Sequence, residues 1–235
     1  GKDIWPKISV ITACFNNAAT IGDTIASVND QVYEHVEHIF VDGMSSDGTL
    51  DIINASAKKP RVIVSEPDQG IYDALNKGFA LTTGDIVGIL HSDDAYFDSS
   101  ALEVVSLAFT SKVVDYVYGD VKMVNRSGKV IRDWKPGLLH NGKIISKQIP
   151  HPSLFLSREL INKINPIFDA SYRISADLKQ QLIFTNILNA NGFYIPRPLV
   201  NMKIGGTSTS SLSAYISGWV ESRRAWNEVH GNGGS

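Results

Sequence analysis

Hydrophobic positions fall into two alternating periods over the first half of the chain. Residues 8–14 form a β-branched run of strand length, and residues 36–41, 61–65 and 85–90 follow at similar intervals. Between them, apolar positions recur at helical spacing over residues 20–31, 49–58 and 71–81. Strand alternating with helix predicts an α/β architecture, with a mostly parallel sheet covered on both faces. Such sheets bind ligands at the carboxyl ends of their strands, so the text after each strand carries the information. It reads Phe15-Asn16-Asn17, then Asp42-Gly43-Met44-Ser45-Ser46-Asp47-Gly48, then Glu66-Pro67-Asp68-Gln69-Gly70, then His91-Ser92-Asp93-Asp94. Three of these four loops carry clustered acids or acid-plus-glycine turns. That predicts a site.

The second half follows a different pattern. Residues 116–124 and 130–134 predict two strands joined by the turn Asn125-Arg126-Ser127-Gly128. Pro150, His151 and Pro152 precede a short strand over 154–156, and residues 158–164 and 176–189 predict helices. The Gly205-Gly206 pair and the Ser/Thr-rich stretch to Ser211 predict a mobile loop. Leu212, Tyr215, Ile216, Trp219 and Val220 then share one face of a last helix, and the tail from Gly231 is expected to be disordered. No internal repeat or linker separates the halves. The expectation is one continuous domain over 1–235, with a first half over about 8–115 and a smaller β/α portion over about 116–230.

Composition narrows the function. The chain has 235 residues, enough to bury a core without staples. With 22 Lys plus Arg against 24 Asp plus Glu, the formal net charge is -2, which offers no broad basic face and argues against a nucleic-acid partner. The single cysteine, Cys14, closes no intrachain disulfide and reads as a small core residue. The N-terminal stretch lacks the apolar segment of a signal peptide, and no run approaches the roughly 18 apolar residues of a membrane helix. A cytoplasmic protein is expected. In that compartment the acceptor patterns at Asn54 and Asn125 would not be glycosylated.

Several chemistries are disfavoured by what the loops lack. No Gly-x-Gly-x-x-Gly turn follows the first strand, no Gly-x-x-x-x-Gly-Lys loop exists, and no Gly-x-Ser-x-Gly elbow exists. Adjacent acids at the end of a buried strand, Asp93 and Asp94, need compensation, because unpaired buried charge is costly. A hard divalent cation with carboxylate ligands would supply it, leaving positions open for a diphosphate. The alternative is that these acids cap the next helix, near Asp98-Ser99-Ser100, and on their own the residues leave both readings open.

The ordered set of loops resembles family 2 glycosyltransferases of the GT-A fold. The resemblance rests on Ile8-Ser9-Val10-Ile11-Thr12, Phe15-Asn16, Val41-Asp42-Gly43 with Ser46-Asp47-Gly48-Thr49, and Ser92-Asp93-Asp94. The string from Ser65 through Glu66-Pro67-Asp68-Gln69-Gly70-Ile71-Tyr72-Asp73-Ala74-Leu75-Asn76-Lys77-Gly78 looks like a bacterial polysaccharide and lipopolysaccharide subgroup. So do His151-Pro152-Ser153, Phe168-Asp169, Ile174-Ser175-Ala176-Asp177 and Lys203-Ile204-Gly205-Gly206. The resemblance implies inverting, metal-dependent transfer from a nucleotide-sugar donor to an acceptor hydroxyl. It further implies Mn²⁺ or Mg²⁺ on Asp94, Asp93 on the metal or the ribose, and Asp177 as the base. Thr12, Phe15 and Asp42 fall to the nucleoside, with Phe15 stacking on the base, and Asp68 and Asp73 to the donor-sugar pocket.

Three positions depart from the pattern. His91 stands where many members have the first acid of an Asp-x-Asp motif. Gly43 stands where many carry a second acid, and no Gln-x-x-Arg-Trp motif follows Asp177, which reads as non-processive transfer. The competing readings are a sugar-phosphate nucleotidylyltransferase and a binding module without catalysis. The resemblance also implies a glycan or a polyprenyl-diphosphate-linked sugar as acceptor. Tyr215, Trp219 and Trp226 with Arg223 and Arg224 suit peripheral contact with the inner membrane face, and the alternative is that Leu212, Ile216 and Trp219 pack on the catalytic domain.

Overall fold

The computed structural model describes residues 5–146, 148–204 and 212–231, with side chains in the last helix from Ser217 onward. The predicted loop at 205–211 and the tail beyond 231 lie outside the described residues. In chain order the elements are β1 (Ile8–Cys14), α1 (Ile21–Asn29), β2 (Val36–Asp42), α2 (Thr49–Ser56), β3 (Arg61–Ser65), α3 (Ile71–Leu81) and β4 (Ile86–Ile89). They continue as β5 (Ala95–Tyr96), α4 (Ala101–Ser111), β6 (Tyr116–Val124), β7 (Val130–Trp134), β8 (Leu154–Ser157), α5 (Arg158–Ile161), α6 (Ala176–Leu182), β9 (Gly192–Lys203) and α7 (Leu212–His230).

All nine strands join one sheet in the order β3-β2-β1-β4-β8-β6-β9-β5, with β7 paired to β6. The four strands β1 to β4 are parallel, as the alternation predicts, and β8 joins antiparallel at β4. The sheet therefore runs unbroken from the first half into the second. Side chains of β1 alternate between two apolar faces: Ile11 and Ala13 pack toward α3, α6 and α7, whereas Ile8 and Val10 pack toward α1 and α4. Gly78 lets α3 sit close on the sheet, since a Cβ there would lie 2.5 Å from Ile11. Buried polar groups in β2 are paired: Glu37 takes Lys7 at 2.6 Å and the Ser9 hydroxyl at 2.6 Å.

The second half departs from the sequence expectation in three places. β9 is a twelve-residue strand that hydrophobic alternation does not announce, because Pro196 and Pro198 interrupt it and its pairing with β6 shifts register there. Beyond it lies only the two-residue β5, so the prolines' missing donors fall largely at an open edge. The helix expected over 158–164 closes at Ile161, capped by the Ser157 hydroxyl accepting the Leu160 N–H at 3.1 Å. The helix expected over 176–189 is regular only to Leu182, and Ile183–Ile187 form a wider turn.

Candidate active site

The loops after β1 and β2 are tied together at the carboxyl end of the sheet. The Asn16 N–H donates to Ser45 Oγ at 2.8 Å, and the Ser46 N–H returns to Asn16 Oδ1 at 2.9 Å. The Ala18 N–H donates to Asp47 at 3.0 Å. This leaves Phe15 61% exposed at the strand end, so it is not a core residue. Gly43 lies beside it. A Cβ at Gly43 would lie 2.7 Å from an Asp68 carboxylate oxygen and 3.3 Å from the Phe15 ring. The space beside position 43, where many members carry a second acid, is occupied here by the end of the Asp68 side chain. Phe15, Gly43 and Asp68 form one wall.

Thr12 and Asp42 have no accessible surface. The Thr12 hydroxyl donates to the Leu90 carbonyl at 2.7 Å and lies 2.9 Å from His38 Nε2. The Asp42 carboxylate accepts the Ser45 N–H at 3.0 Å, the Ser65 hydroxyl at 2.7 Å, the Ser45 hydroxyl and, at 3.7 Å, the Cys14 thiol. Both side chains are engaged within the protein and reach the site through the loops they hold. Burial, with Asp42 next to it, pushes the Cys14 thiol up to about 12, so Cys14 is an inert core thiol.

The loop after β4 carries the acids. Asp94 is 2% exposed, and its Oδ1 accepts the Lys203 N–H of β9 at 3.0 Å. Burial and the Asp93 carboxylate beside it push Asp94 well above the usual carboxylate range, against the pull of Lys203. The Lys203 ammonium itself pairs with Asp23 at 2.7 Å. Asp94 is therefore short of positive charge. Among the described residues, no group of three His, Cys, Asp or Glu side chains is placed to hold a metal ion. These residues fit a cation held by one or two carboxylates and completed by ligand oxygens, the usual arrangement for Mg²⁺ with a diphosphate.

His91 lies beside a second buried imidazole. Its ring lies 5.8 Å from the His151 ring, and burial, with His151 next, pushes it down to about 4. Burial likewise pushes His151 down to about 4, and both its ring nitrogens are buried without a hydrogen-bond partner. Both imidazoles are neutral near pH 7.

Asp177 stands at the second position of α6, half-buried. Its Oδ2 accepts the Gln148 amide at 2.6 Å, and the Tyr72 hydroxyl lies 3.4 Å from Oδ1. Burial raises the carboxyl to about 6 despite these bonds. Tyr72, the second residue of α3, donates to the Ile174 carbonyl at 2.5 Å, so a residue of the first half fixes the approach to α6. Asp73, the next residue, accepts the Gln69 N–H at 3.0 Å and lies 3.4 Å from Lys77. It lines a cleft of about 540 Å³ whose opposite wall is Ala170, Ser171, Tyr172 and Arg173. The glycine that turns the chain into α3, Gly70, has φ 118°, a conformation that favours glycine.

Sequence reasoning missed Gln148, an amide in a loop without periodicity. It missed the role of Tyr72, although Tyr72 lies within the Pro67–Gly78 string. On α7, Trp219 is 63% and Val220 54% exposed, and Arg223 is exposed beside them. Arg224 pairs with Glu228 at 2.6 Å, and Trp226 packs against the core. No helix among the described residues is long and apolar enough to cross a membrane.

A sequence model described as "Glycosyl transferase family 2" matches residues 9–164. A PGL/p-HBAD biosynthesis glycosyltransferase of Mycobacterium bovis is 32% identical over 176 residues, covering 73% of this chain and 67% of that protein. An uncharacterized glycosyltransferase of Nostoc sp. is 30% identical over 184 residues, covering 73% of this chain and 57% of its own. Among solved structures, S. aureus TarS 1-349 in complex with UDP superposes with a TM-score of 0.69 at 17% identity, covering 95% of this chain and 65% of that one. The mannosyltransferase PcManGT from Pyrobaculum calidifontis, in complex with GDP-Man and Mn²⁺, gives 0.67 at 18% identity, covering 94% and 65%. At such identities the structures speak to the fold, and the chain spans about two thirds of the length of these solved chains.

Proposed function

The chain belongs to glycosyl transferase family 2, and from that premise we propose that it performs inverting, metal-dependent, non-processive transfer of a sugar from a nucleoside diphosphate donor to an acceptor hydroxyl. The observation that carries the proposal is Asp177, a half-buried carboxyl raised to about 6 and held by the neutral Gln148 amide. Such a group is ionised at pH 7 yet basic enough to take a proton.

In the proposed reaction the acceptor hydroxyl gives its proton to Asp177 as its oxygen bonds to the anomeric carbon. The bond from that carbon to the diphosphate oxygen breaks, and its electrons leave with the nucleoside diphosphate. One displacement inverts the anomeric centre. Asp94, with Asp93, would hold Mn²⁺ or Mg²⁺, whose chemistry is to neutralise charge developing on the diphosphate. Phe15, Gly43 and Asp68 would receive the nucleoside, with the exposed Phe15 ring on the base. The Asp73 wall would face the donor sugar. Solved relatives of the fold carrying UDP or GDP-Man support a nucleotide-sugar donor.

The acceptor belongs to the same proposal: a glycan, or a sugar on a polyprenyl-diphosphate lipid reached at the inner membrane face. The exposed Trp219, Val220 and Arg223 support peripheral attachment there. Salt-sensitive sedimentation with anionic vesicles checks it, and absence from the vesicle pellet at low salt refutes it.

Incubating the protein with a panel of UDP- and GDP-sugars plus Mn²⁺ tests the central reaction. Release of nucleoside diphosphate, lost on chelation, is the expected result. Binding without release across the panel would favour the non-catalytic module, and release that chelation leaves unchanged would refute the cation's role.

A further inference from the structure

α6 is short, and the residue before it, Ser175, does not cap it in the usual way. Its side chain makes no capping bond, and its hydroxyl points instead to the Gly218 carbonyl at 3.2 Å. The N–H groups leading into the helix find their acceptor on a different element. Glu221 of α7 accepts the Arg173 N–H on Oε1 at 2.9 Å. Its Oε2 accepts the Ile174 N–H at 2.8 Å and the Ser175 N–H at 2.9 Å. Three consecutive backbone donors converge on one carboxylate, two residues before Asp177. Charge-assisted bonds of this kind are the strong ones.

The rest of α7 keeps that carboxylate in place. Two turns further on, Glu228 accepts the Tyr172 hydroxyl at 2.9 Å and the Lys179 ammonium at 2.6 Å. Ala225, between them, is fully buried. Ile174 is thereby held from both sides: its N–H by Glu221 and its carbonyl by the Tyr72 hydroxyl.

Resting on the reading of Asp177 as base, we propose that Glu221 is a positioning residue: by clamping the backbone of residues 173–175, it sets where the Asp177 carboxyl points and keeps it shielded from water. Glu221 touches neither Asp177 nor the reacting atoms. It acts through three peptides.

The sign of its influence on Asp177 is the same by every route. Loosening the turn admits water to Asp177, and an N–H freed from the clamp becomes available to it. Each favours the ionised Asp177 carboxylate. The other groups that meet the Asp177 carboxyl are neutral: Gln148, and Tyr72, whose hydroxyl burial pushes well above its usual value. Lys179, on the same helix, is occupied by Asp169 at 2.7 Å and by Glu228.

The test is Glu221→Gln, which keeps the shape and two of the three bonds, read by NMR titration of the Asp177 carboxyl without any nucleotide sugar. The expected result is a downward shift of about half a unit or more. Alongside it, kcat falls about tenfold while the donor KM stays within about twofold, the mark of lost orientation rather than lost binding. An unchanged Asp177 titration overturns the proposal, whatever happens to melting temperature. A second measurement needs no variant: amide exchange of Arg173, Ile174 and Ser175 in the parent protein. Protection matching that of α7 supports the clamp, and loop-like exchange overturns it. Neither readout depends on turnover, so failure of the clamp is distinguishable from failure of the base, which Asp177→Asn decides.

Discussion

Two carboxyls, one in each half of the chain, are both held above their ordinary range by burial, yet their neighbours differ. Asp94, after β4, is buried with a second carboxylate beside it and one backbone N–H on its Oδ1. Asp177, on α6, is held by the Gln148 amide, and its elevation comes from burial without a like charge. The first environment asks for a positive charge, and the second asks for a proton. A cation would relieve Asp94, because it compensates both neighbouring acids. At Asp177 a transferred proton suffices, because its partners are neutral. Two groups of the same type are thus assigned different work by what surrounds them.

The largest expected effect breaks the comparison at Asp94. Asp94→Ala should lower nucleoside diphosphate release by about three orders of magnitude or more, since a cation at the leaving diphosphate contributes several kcal/mol. It should also remove any Mn²⁺-dependent rise in melting temperature with UDP or GDP, because ligand stabilisation then runs through the cation. Asp177→Asn should leave that rise intact. If the Ala variant keeps near-parent turnover, the cation is held elsewhere.

A smaller effect is expected at the nucleoside wall. Phe15→Ala removes an exposed ring whose stacking on a base is worth about 1–3 kcal/mol. Affinity for the nucleoside diphosphate should fall about tenfold with kcat nearly unchanged, since the base lies far from the breaking bond. Unchanged affinity would mean that Phe15 meets no base.

The donor side was far more legible in the sequence than the acceptor side. β1 to β4 and the helices between them follow from strand-length apolar runs and helical periodicity, and their loops end the strands that the sheet rule singles out. The positions of Phe15, Asp93 and Asp94 are therefore readable from the chain alone. Asp177 was reached by resemblance, and nothing in its neighbourhood announces the contacts that tune it. Tyr72 is 105 residues away, and Gln148 lies in a loop 29 residues upstream. Those contacts are made by chain crossing, which periodicity does not encode. β9 escaped for another reason: its prolines contradict the usual strand composition, and only its place beside the short β5 makes them tolerable. The two buried strand residues Thr12 and Asp42 show a further difference. Their partners within the protein, the Leu90 carbonyl for Thr12 and the Ser45 and Ser65 groups for Asp42, come from other strands and loops and are not readable from local sequence.

The central claim is that Asp177 accepts the acceptor's proton, and the pH dependence of kcat tests it most directly. Asp177 must be ionised to act, so activity should fall as pH drops through about 6 and level off above it. With saturating donor and Mn²⁺, Asp177→Asn should lower kcat by about two to four orders of magnitude and abolish that acid limb. A variant that keeps the parent rate, or keeps the same limb near pH 6, would contradict the assignment.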